Sequence, residues 1–149
     1  MLRLALAAGL VALATTMAQA APRVASINVC TDQLLMALAD PAQIVGLSPY
    51  SRDPASSAMA ERAENFHRLS GGAEDVLALH PDVVVAAPFT RRATREMLKR
   101  QGLRVVEFPV AQSLADVRSN LRRMGEIGSS WGSWSSQLPI VHSDNSSSP

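Results

Sequence analysis

Two aromatic residues, Tyr50 and Phe89, stand in loop-like segments that each follow a short run of strand-forming residues. An aromatic ring on a loop suits a surface that stacks on a large, partly apolar ligand. The other interpretation is that the two rings only cover the ends of the strands beneath them. The sequence does not favour one of these interpretations over the other. Both residues are therefore candidates for ligand contact.

A pair of cations, Arg91 and Arg92, begins a predicted helix after the second of these loops. The free backbone amides of a helix N-terminus favour an anion, so the pair is a candidate site for a ligand carboxylate or phosphate. Together with Arg95, Lys99 and Arg100 it also fits a solvated basic helix face. We prefer that simpler interpretation and retain Arg91 as a ligand-binding candidate.

Cys30 is the only cysteine of the chain, which excludes an internal disulfide and a thiolate metal cluster. It lies at a predicted helix start, where a thiol can become nucleophilic, and in a loop that should face a ligand. Catalysis would also need a base, but His80 falls in a turn at the opposite end of the sheet and His142 lies near the C-terminus. Only His67 is left unplaced. We therefore expect a small buried residue at Cys30, keep it among the ligand-binding candidates, and retain a secreted hydrolase as the alternative.

The elements that must position these residues alternate between short strand-forming runs and helical stretches, which is typical of an α/β fold with a parallel sheet. Ligands of open parallel sheets bind beyond the carboxyl ends of the strands. The predicted strands cover residues 23–28, 43–47, 82–86 and 103–108, and the loops that follow them cover residues 29–31, 48–52, 87–91 and 109–111.

Three helix starts carry a residue that can cap them. We expect Thr31 to cap a helix that ends before Pro41, and Thr90 to cap one that ends at Gly102. Ser113 begins a third helix, with Asp116 in the place of the usual Glu or Gln of a capping box.

Residues 1–20 have one cation, an apolar run and a closing Ala18-Gln19-Ala20, which is the pattern of a cleaved secretory signal peptide. The apolar run is short for the alternative, an uncleaved membrane anchor. Cleavage after Ala20 leaves no cysteine at the new N-terminus, so we expect export to a periplasm without lipidation. It also removes Arg3, and the formal net charge falls from +1 to zero, which favours neither a nucleic acid nor an anionic membrane as a partner.

The mature chain divides into a folded unit, residues 21–127, and a serine-rich tail, residues 128–149. Nine of the residues from Ser129 to Pro149 are serine. The segment therefore has too few apolar residues for their burial to offset the entropy lost when it becomes ordered. We expect this tail to be disordered.

Three segments carry a resemblance to a known family: residues 21–28, residues 44–51, and the stretch from Glu74 to Val84. They resemble the periplasmic substrate-binding proteins of ABC importers for vitamin B12 and iron–siderophore complexes. The resemblance implies a monomer with two Rossmann-like α/β lobes, joined by one long helix that would begin at residues 113–126, and a metal chelate held between the lobes. It implies no cofactor, no catalytic residue and no bare metal ion.

By the same resemblance, Glu74 matches the first-lobe glutamate that docks on arginines of the ABC permease in the inner membrane, and Tyr50 lies in a loop that reaches the ligand. The matching pattern stops near Glu126, and no second lobe follows, so we expect a truncated protein with weak or no binding. A zinc- or manganese-binding protein is a further alternative, but it would need several histidine and carboxylate ligands near the strand ends, which the sequence does not supply.

Overall fold

A computed structural model describes residues 21–128, and four strands form its sheet. All neighbouring strands are parallel, in the order β2-β1-β3-β4. The predicted α/β fold with a parallel sheet is therefore confirmed. The strands are β1 (Val24–Ser26), β2 (Ile44–Gly46), β3 (Val83–Ala86) and β4 (Arg104–Glu107).

Helices cover both faces of the sheet because the strands are apolar on both sides. On one face Val83 and Val85 pack with Leu35 and Met124, and on the other Val84 packs with residues of the opposite helices. The core is thus divided into two layers by the sheet. The helices are α1 (Val29–Leu38), α2 (Ala60–Ala63), α3 (Ala73–Ala78), α4 (Arg92–Arg100) and α5 (Leu114–Ile127), with a 3-10 turn at Pro41–Gln43.

The expected cap of α1 is wrong. Asn28 caps this helix, because its side chain accepts a hydrogen bond from the backbone N–H of Cys30 at 2.9 Å. Thr31 is buried in the first turn, where its hydroxyl donates to the Asn28 carbonyl and is hydrogen-bonded to Ser26 at 2.8 Å. Asparagine and threonine are both good caps, and the burial of the threonine decides between them.

The expected cap of α4 is also wrong, whereas that of α5 is correct. Arg91 occupies the cap position of α4 without a side-chain hydrogen bond, and the Thr90 hydroxyl accepts from the N–H of Ala87 instead. Ser113 caps α5 by accepting from the N–H of Asp116 at 3.1 Å. Gly102, just beyond α4, has a φ of 83°, a left-handed value that suits a glycine after a helix.

The predicted signal peptide, residues 1–20, and residues 129–149 of the predicted tail lie outside the described residues. Gly128, the first residue of that tail, forms the C-cap of α5. Between residues 21 and 128 no helix is both long enough and apolar enough to span a bilayer.

Candidate functional site

The loops that follow the strands meet at one edge of the sheet, since the carboxyl ends of parallel strands point the same way. The strand order reverses between β1 and β3, because β2 lies on one side of β1 while β3 and β4 lie on the other. Such a reversal leaves a crevice in which ligands of open α/β sheets bind. Residues 27–30 follow β1 and residues 87–91 follow β3, so these two segments border the crevice.

The large apolar side chains that are exposed within residues 21–128 all belong to this edge, and we call them the apolar edge. Two are the predicted aromatic residues, and three follow β4 or lie in the first turns of α5. They are Tyr50 (61% exposed), Phe89 (82%), Val110 (52%), Leu114 (77%) and Val117 (41%). Their position at the carboxyl ends of the strands makes this edge a candidate interaction surface.

The loop that carries Tyr50 is fixed to α1 by a buried carboxylate. Asp32 accepts hydrogen bonds from the backbone N–H of Ser48 at 3.0 Å and from its hydroxyl at 2.5 Å. The same loop closes on itself, since Ser51 N–H donates to the Ser48 carbonyl and Asp53 N–H donates to the Tyr50 carbonyl. Tyr50 therefore projects from an anchored turn.

Asp32 is fully buried, and sequence reasoning missed it. Burial raises the pKa of its carboxyl group to about 6, against the opposing effect of hydrogen bonds from Ser26 and Ser48. The signal that identifies it is its spacing: Asp32 lies three and four residues before Leu35 and Met36, on the face of α1 that packs on the sheet. An acid at such a position needs polar partners inside the fold.

Phe89 stands at the tip of a tight turn between β3 and α4. Thr90 N–H donates to the Ala87 carbonyl at 3.0 Å, and the Thr90 hydroxyl accepts from the Ala87 N–H at 3.2 Å. These two hydrogen bonds close the turn and leave Phe89 pointing outward. Its ring is the most exposed large apolar group of the described residues.

The expected solvated basic face of α4 is only partly correct. Arg91 and Arg92 are exposed, but Arg95 and Lys99 both pair with Glu107, the last residue of β4. The Lys99 ammonium, and after it the Arg95 guanidinium, lower the pKa of Glu107. Two of the five cations of the predicted basic face therefore tie α4 to the sheet.

Cys30 is exposed, so the expectation of a buried core residue is wrong. It is the second residue of α1 and lies at the carboxyl edge after β1. Because β1 stands between β2 and β3, Cys30 belongs to the loop between those of Tyr50 and Phe89.

His80 lies in the turn before β3, at the opposite edge, and has a φ of 47°. His67 lies beside Leu47, whose N–H donates to its carbonyl.

Glu74 is exposed in the first turn of α3. The segment before α3 pairs beside the end of β2, and Gly71 lies against Pro49, so this helix begins at the same edge as the Tyr50 loop. The neighbouring acid differs in role. Asp75 accepts from the Ser70 N–H at 2.6 Å, and hydrogen bonds from Ser70 lower the pKa of Asp75.

No group of three or more His, Cys, Asp or Glu side chains converges as a metal site within the part of the chain that the structure describes. The zinc- or manganese-binding alternative therefore gains no ligand set from residues 21–128.

Comparison with known proteins relates this fold to one family. The sequence model described as periplasmic binding protein matches residues 24–130. No curated protein matches the chain.

Solved structures share the fold at low identity. A possible iron-binding periplasmic protein from Staphylococcus epidermidis ATCC 12228 is 18% identical, with a TM-score of 0.60 over 74% of this chain and 43% of that one. A periplasmic heme-binding protein from Pseudomonas aeruginosa is 23% identical, with a TM-score of 0.57 over 71% and 38%. The periplasmic vitamin B12 binding protein of Vibrio cholerae is 20% identical, with a TM-score of 0.56 over 74% and 43%. The matched region thus spans less than half the length of each of these proteins.

Proposed function

This chain belongs to the periplasmic binding protein family, as the sequence resemblance predicted, and we propose that it is the substrate-binding component of an ABC importer for a metal chelate. The ligand class would be an iron–siderophore complex, heme or cobalamin. The observation that carries this proposal is the pair of anchored, exposed aromatic residues, Tyr50 and Phe89, on either side of the crevice.

The spacing of these two residues favours a large ligand. Tyr50 follows β2 and Phe89 follows β3, and these strands are separated by β1. Strands in a sheet lie about 5 Å apart, so the two loops begin about 10 Å apart. A metal chelate can reach both rings at once and stack on them, whereas a small amino acid or a bare ion cannot. Cys30 would lie below the middle of such a ligand, and Arg91 would meet an anionic group beside Phe89.

The described lobe offers one wall of a binding site. A pocket normally buries most of the surface of its ligand, and the carboxyl edge of residues 21–128 faces only one side. We therefore propose that this lobe alone binds a chelate weakly. We further propose that residues 1–20 are removed, that the mature protein is an unlipidated periplasmic monomer, and that it has no catalytic residue.

Glu74 is proposed to dock on the permease. Its exposed carboxylate is compatible with the N-terminal end of a helix, and it is available for a charge-assisted pair with arginines of a partner. Asp75 does not suit this role because its carboxylate already caps the turn at Ser70. Glu74 would then act in docking and not in ligand binding.

Titration of the full chain with hemin, cyanocobalamin and ferrichrome tests the ligand class. We expect one probe to bind, and Tyr50→Ala and Phe89→Ala each to weaken that binding by about twofold to tenfold, the range of an aromatic stacking contact. Leu114→Ala is the matched control, because it removes an exposed apolar side chain of the same edge without removing a ring. Absence of binding for all three probes, or equal losses in all three variants, contradicts the assignment.

A docking assay tests Glu74 separately. The cognate permease, reconstituted in nanodiscs, should bind Glu74→Gln less well than the wild type, while the affinity of the soluble variant for the chelate stays unchanged. Glu61→Gln is the control, since Glu61 is also an exposed acid in the first turn of a short helix. A loss of chelate affinity in Glu74→Gln, or equal docking losses in both variants, contradicts the docking role.

A further inference from the structure

We propose that Arg95 is a positioning residue that holds Phe89 at the apolar edge in the orientation needed for ligand contact. This inference rests on the proposed function, because it takes Phe89 as a residue that meets the ligand. It adds a residue that does not touch the ligand and acts through the turn before α4.

All three nitrogen atoms of the Arg95 guanidinium are engaged. Nε donates to the Thr90 carbonyl at 3.1 Å and Nη2 donates to the Pro88 carbonyl at 3.1 Å. Nη1 is paired with a carboxylate oxygen of Glu107. The Arg95 side chain is only 13% exposed, so this arrangement is largely shielded from solvent.

The two carbonyl groups that Arg95 holds belong to the residues on either side of Phe89. The orientation of a side chain depends on the peptide planes that flank its Cα atom. Arg95 holds the plane before Phe89 through the Pro88 carbonyl, and the plane after Phe89 is held by the Thr90 N–H, which donates to the Ala87 carbonyl. Through the Thr90 carbonyl, Arg95 also holds the next plane along the chain. Side-chain packing cannot fix the orientation of the Phe89 ring, because the ring is largely exposed. The direction of the ring is therefore set by the backbone, and the backbone is set by Arg95 together with the Thr90 hydroxyl.

The other end of the anchor is rigid. Glu107 lies opposite Ala86 in the parallel pairing of β3 and β4, and Phe108 N–H donates to the Ala86 carbonyl at 2.8 Å. The guanidinium thus connects the turn to the last paired residues of β3 and β4. Preorganisation of this kind raises affinity because the ordering of the contact is not repeated at each binding event.

Arg95→Lys and Lys99→Gln form a matched pair of variants. A lysine at position 95 keeps a positive charge near Glu107, but it lacks the planar fork that reaches two carbonyl groups. Lys99 pairs with the same Glu107 at 3.0 Å from the next turn of α4, and it donates to no carbonyl of the Phe89 turn. The first variant loosens the turn and keeps a cation, whereas the second removes a cation and keeps the turn.

The first measurement needs no ligand. Amide ¹⁵N relaxation of the full chain should show lower order parameters for Phe89 and Thr90 in Arg95→Lys than in the wild type or in Lys99→Gln. Unchanged order parameters in Arg95→Lys, or equal loosening in Lys99→Gln, overturn the proposal. If Arg95→Lys does not fold, Glu107→Gln replaces it, since that change removes the ionic partner and keeps a carbonyl oxygen. The same loosening of the turn is then expected.

The second measurement uses the probe, hemin, cyanocobalamin or ferrichrome, that the wild-type chain binds. Arg95→Lys should weaken binding by about twofold to tenfold, the range expected for an unordered side chain at an interface. In a Phe89→Ala background the same change should have no further effect on affinity, because Arg95 acts through Phe89. An undiminished effect in that background shows a general structural role and overturns the proposal. If no probe binds, the proposed function fails while the relaxation data still decide the role of Arg95.

Discussion

Replacement of Asp32 by asparagine should change how the stability of this protein depends on pH. The Asp32 side chain is fully buried, and it contacts the backbone N–H and the hydroxyl of Ser48. Asparagine has the same shape and can keep both contacts, since its amide oxygen accepts from the Ser48 N–H and its amide nitrogen donates to the Ser48 hydroxyl. The substitution therefore removes the charge and preserves the anchor of the Tyr50 loop.

The size and sign of the effect follow from the pKa of Asp32. Its rise from 3.8 to about 6 means that the folded chain binds the proton more tightly than the unfolded chain. Stability from this group is therefore greatest below the unfolded pKa, declines between about pH 4 and pH 6, and is constant above that range. At about 1.36 kcal/mol for each pKa unit, the decline is about 3 kcal/mol.

Other acids oppose this trend, so the difference between two proteins is the useful quantity. Hydrogen bonds lower the pKa values of Asp53, Asp75 and Asp116, and these groups lose stability as the pH falls through their folded values. Both proteins contain them equally. The free energy of unfolding of the wild type minus that of Asp32→Asn should therefore fall by about 3 kcal/mol from about pH 3 to pH 7.

Urea denaturation followed by far-ultraviolet circular dichroism at a series of pH values measures this difference. Asp32→Ala serves as the contrasting variant, because it leaves the buried Ser48 N–H unpaired and should cost about 1–3 kcal/mol for that group at every pH. A difference curve for Asp32→Asn that is flat or that rises with pH would refute the reasoning. So would an Asp32 carboxyl that titrates near 4 by NMR.

Three further predictions concern packing, capping and export. Gly46→Ala should destabilise the fold by about 1–3 kcal/mol, since a Cβ there would lie 2.9 Å from Leu79 Cδ1. Gly125→Ala lies in the last turn of α5, where the added Cβ meets nothing within 4 Å, and it should stabilise the fold by at most about 0.5–1 kcal/mol in the same urea assay. Ser113→Ala should cost about 1 kcal/mol by loss of the α5 cap, and a Ser113→Asp variant should recover most of it. Mass spectrometry of the exported protein should find Ala21 as an unmodified N-terminus, and retained residues 1–20 or a lipid adduct would contradict that prediction.

The strands were predictable because each is a short run rich in β-branched or other apolar residues between turn residues. The continuous apolar run Val83–Val85 in particular is typical of a parallel strand covered on both faces. The helix caps and the exposure of single residues were not predictable, because they depend on tertiary contacts. Threonine is a residue type that commonly caps helices. Thr31, however, is buried against Ser26, and Thr90 closes a turn with Ala87. Cys30 was expected inside and lies outside, because the true cap of α1 stands three residues earlier than expected.

The candidate site was only half predictable, for a related reason. Exposed aromatic residues in loops can be read from the sequence, whereas the charged groups that hold those loops cannot. Asp32 and Arg95 are each the fourth residue of a helix that begins at the carboxyl edge of the sheet. From that position Asp32 accepts from the backbone of the Tyr50 loop, and Arg95 donates to the backbone of the Phe89 turn.

The two anchors are opposite in charge and alike in effect. In each, a side chain on a rigid helix fixes the backbone of a loop, and an aromatic ring next to the fixed backbone remains exposed. This arrangement separates the group that contacts a ligand from the group that sets its geometry, which is how a preorganised site is built. The order parameters of both loops should therefore already be high in the free protein.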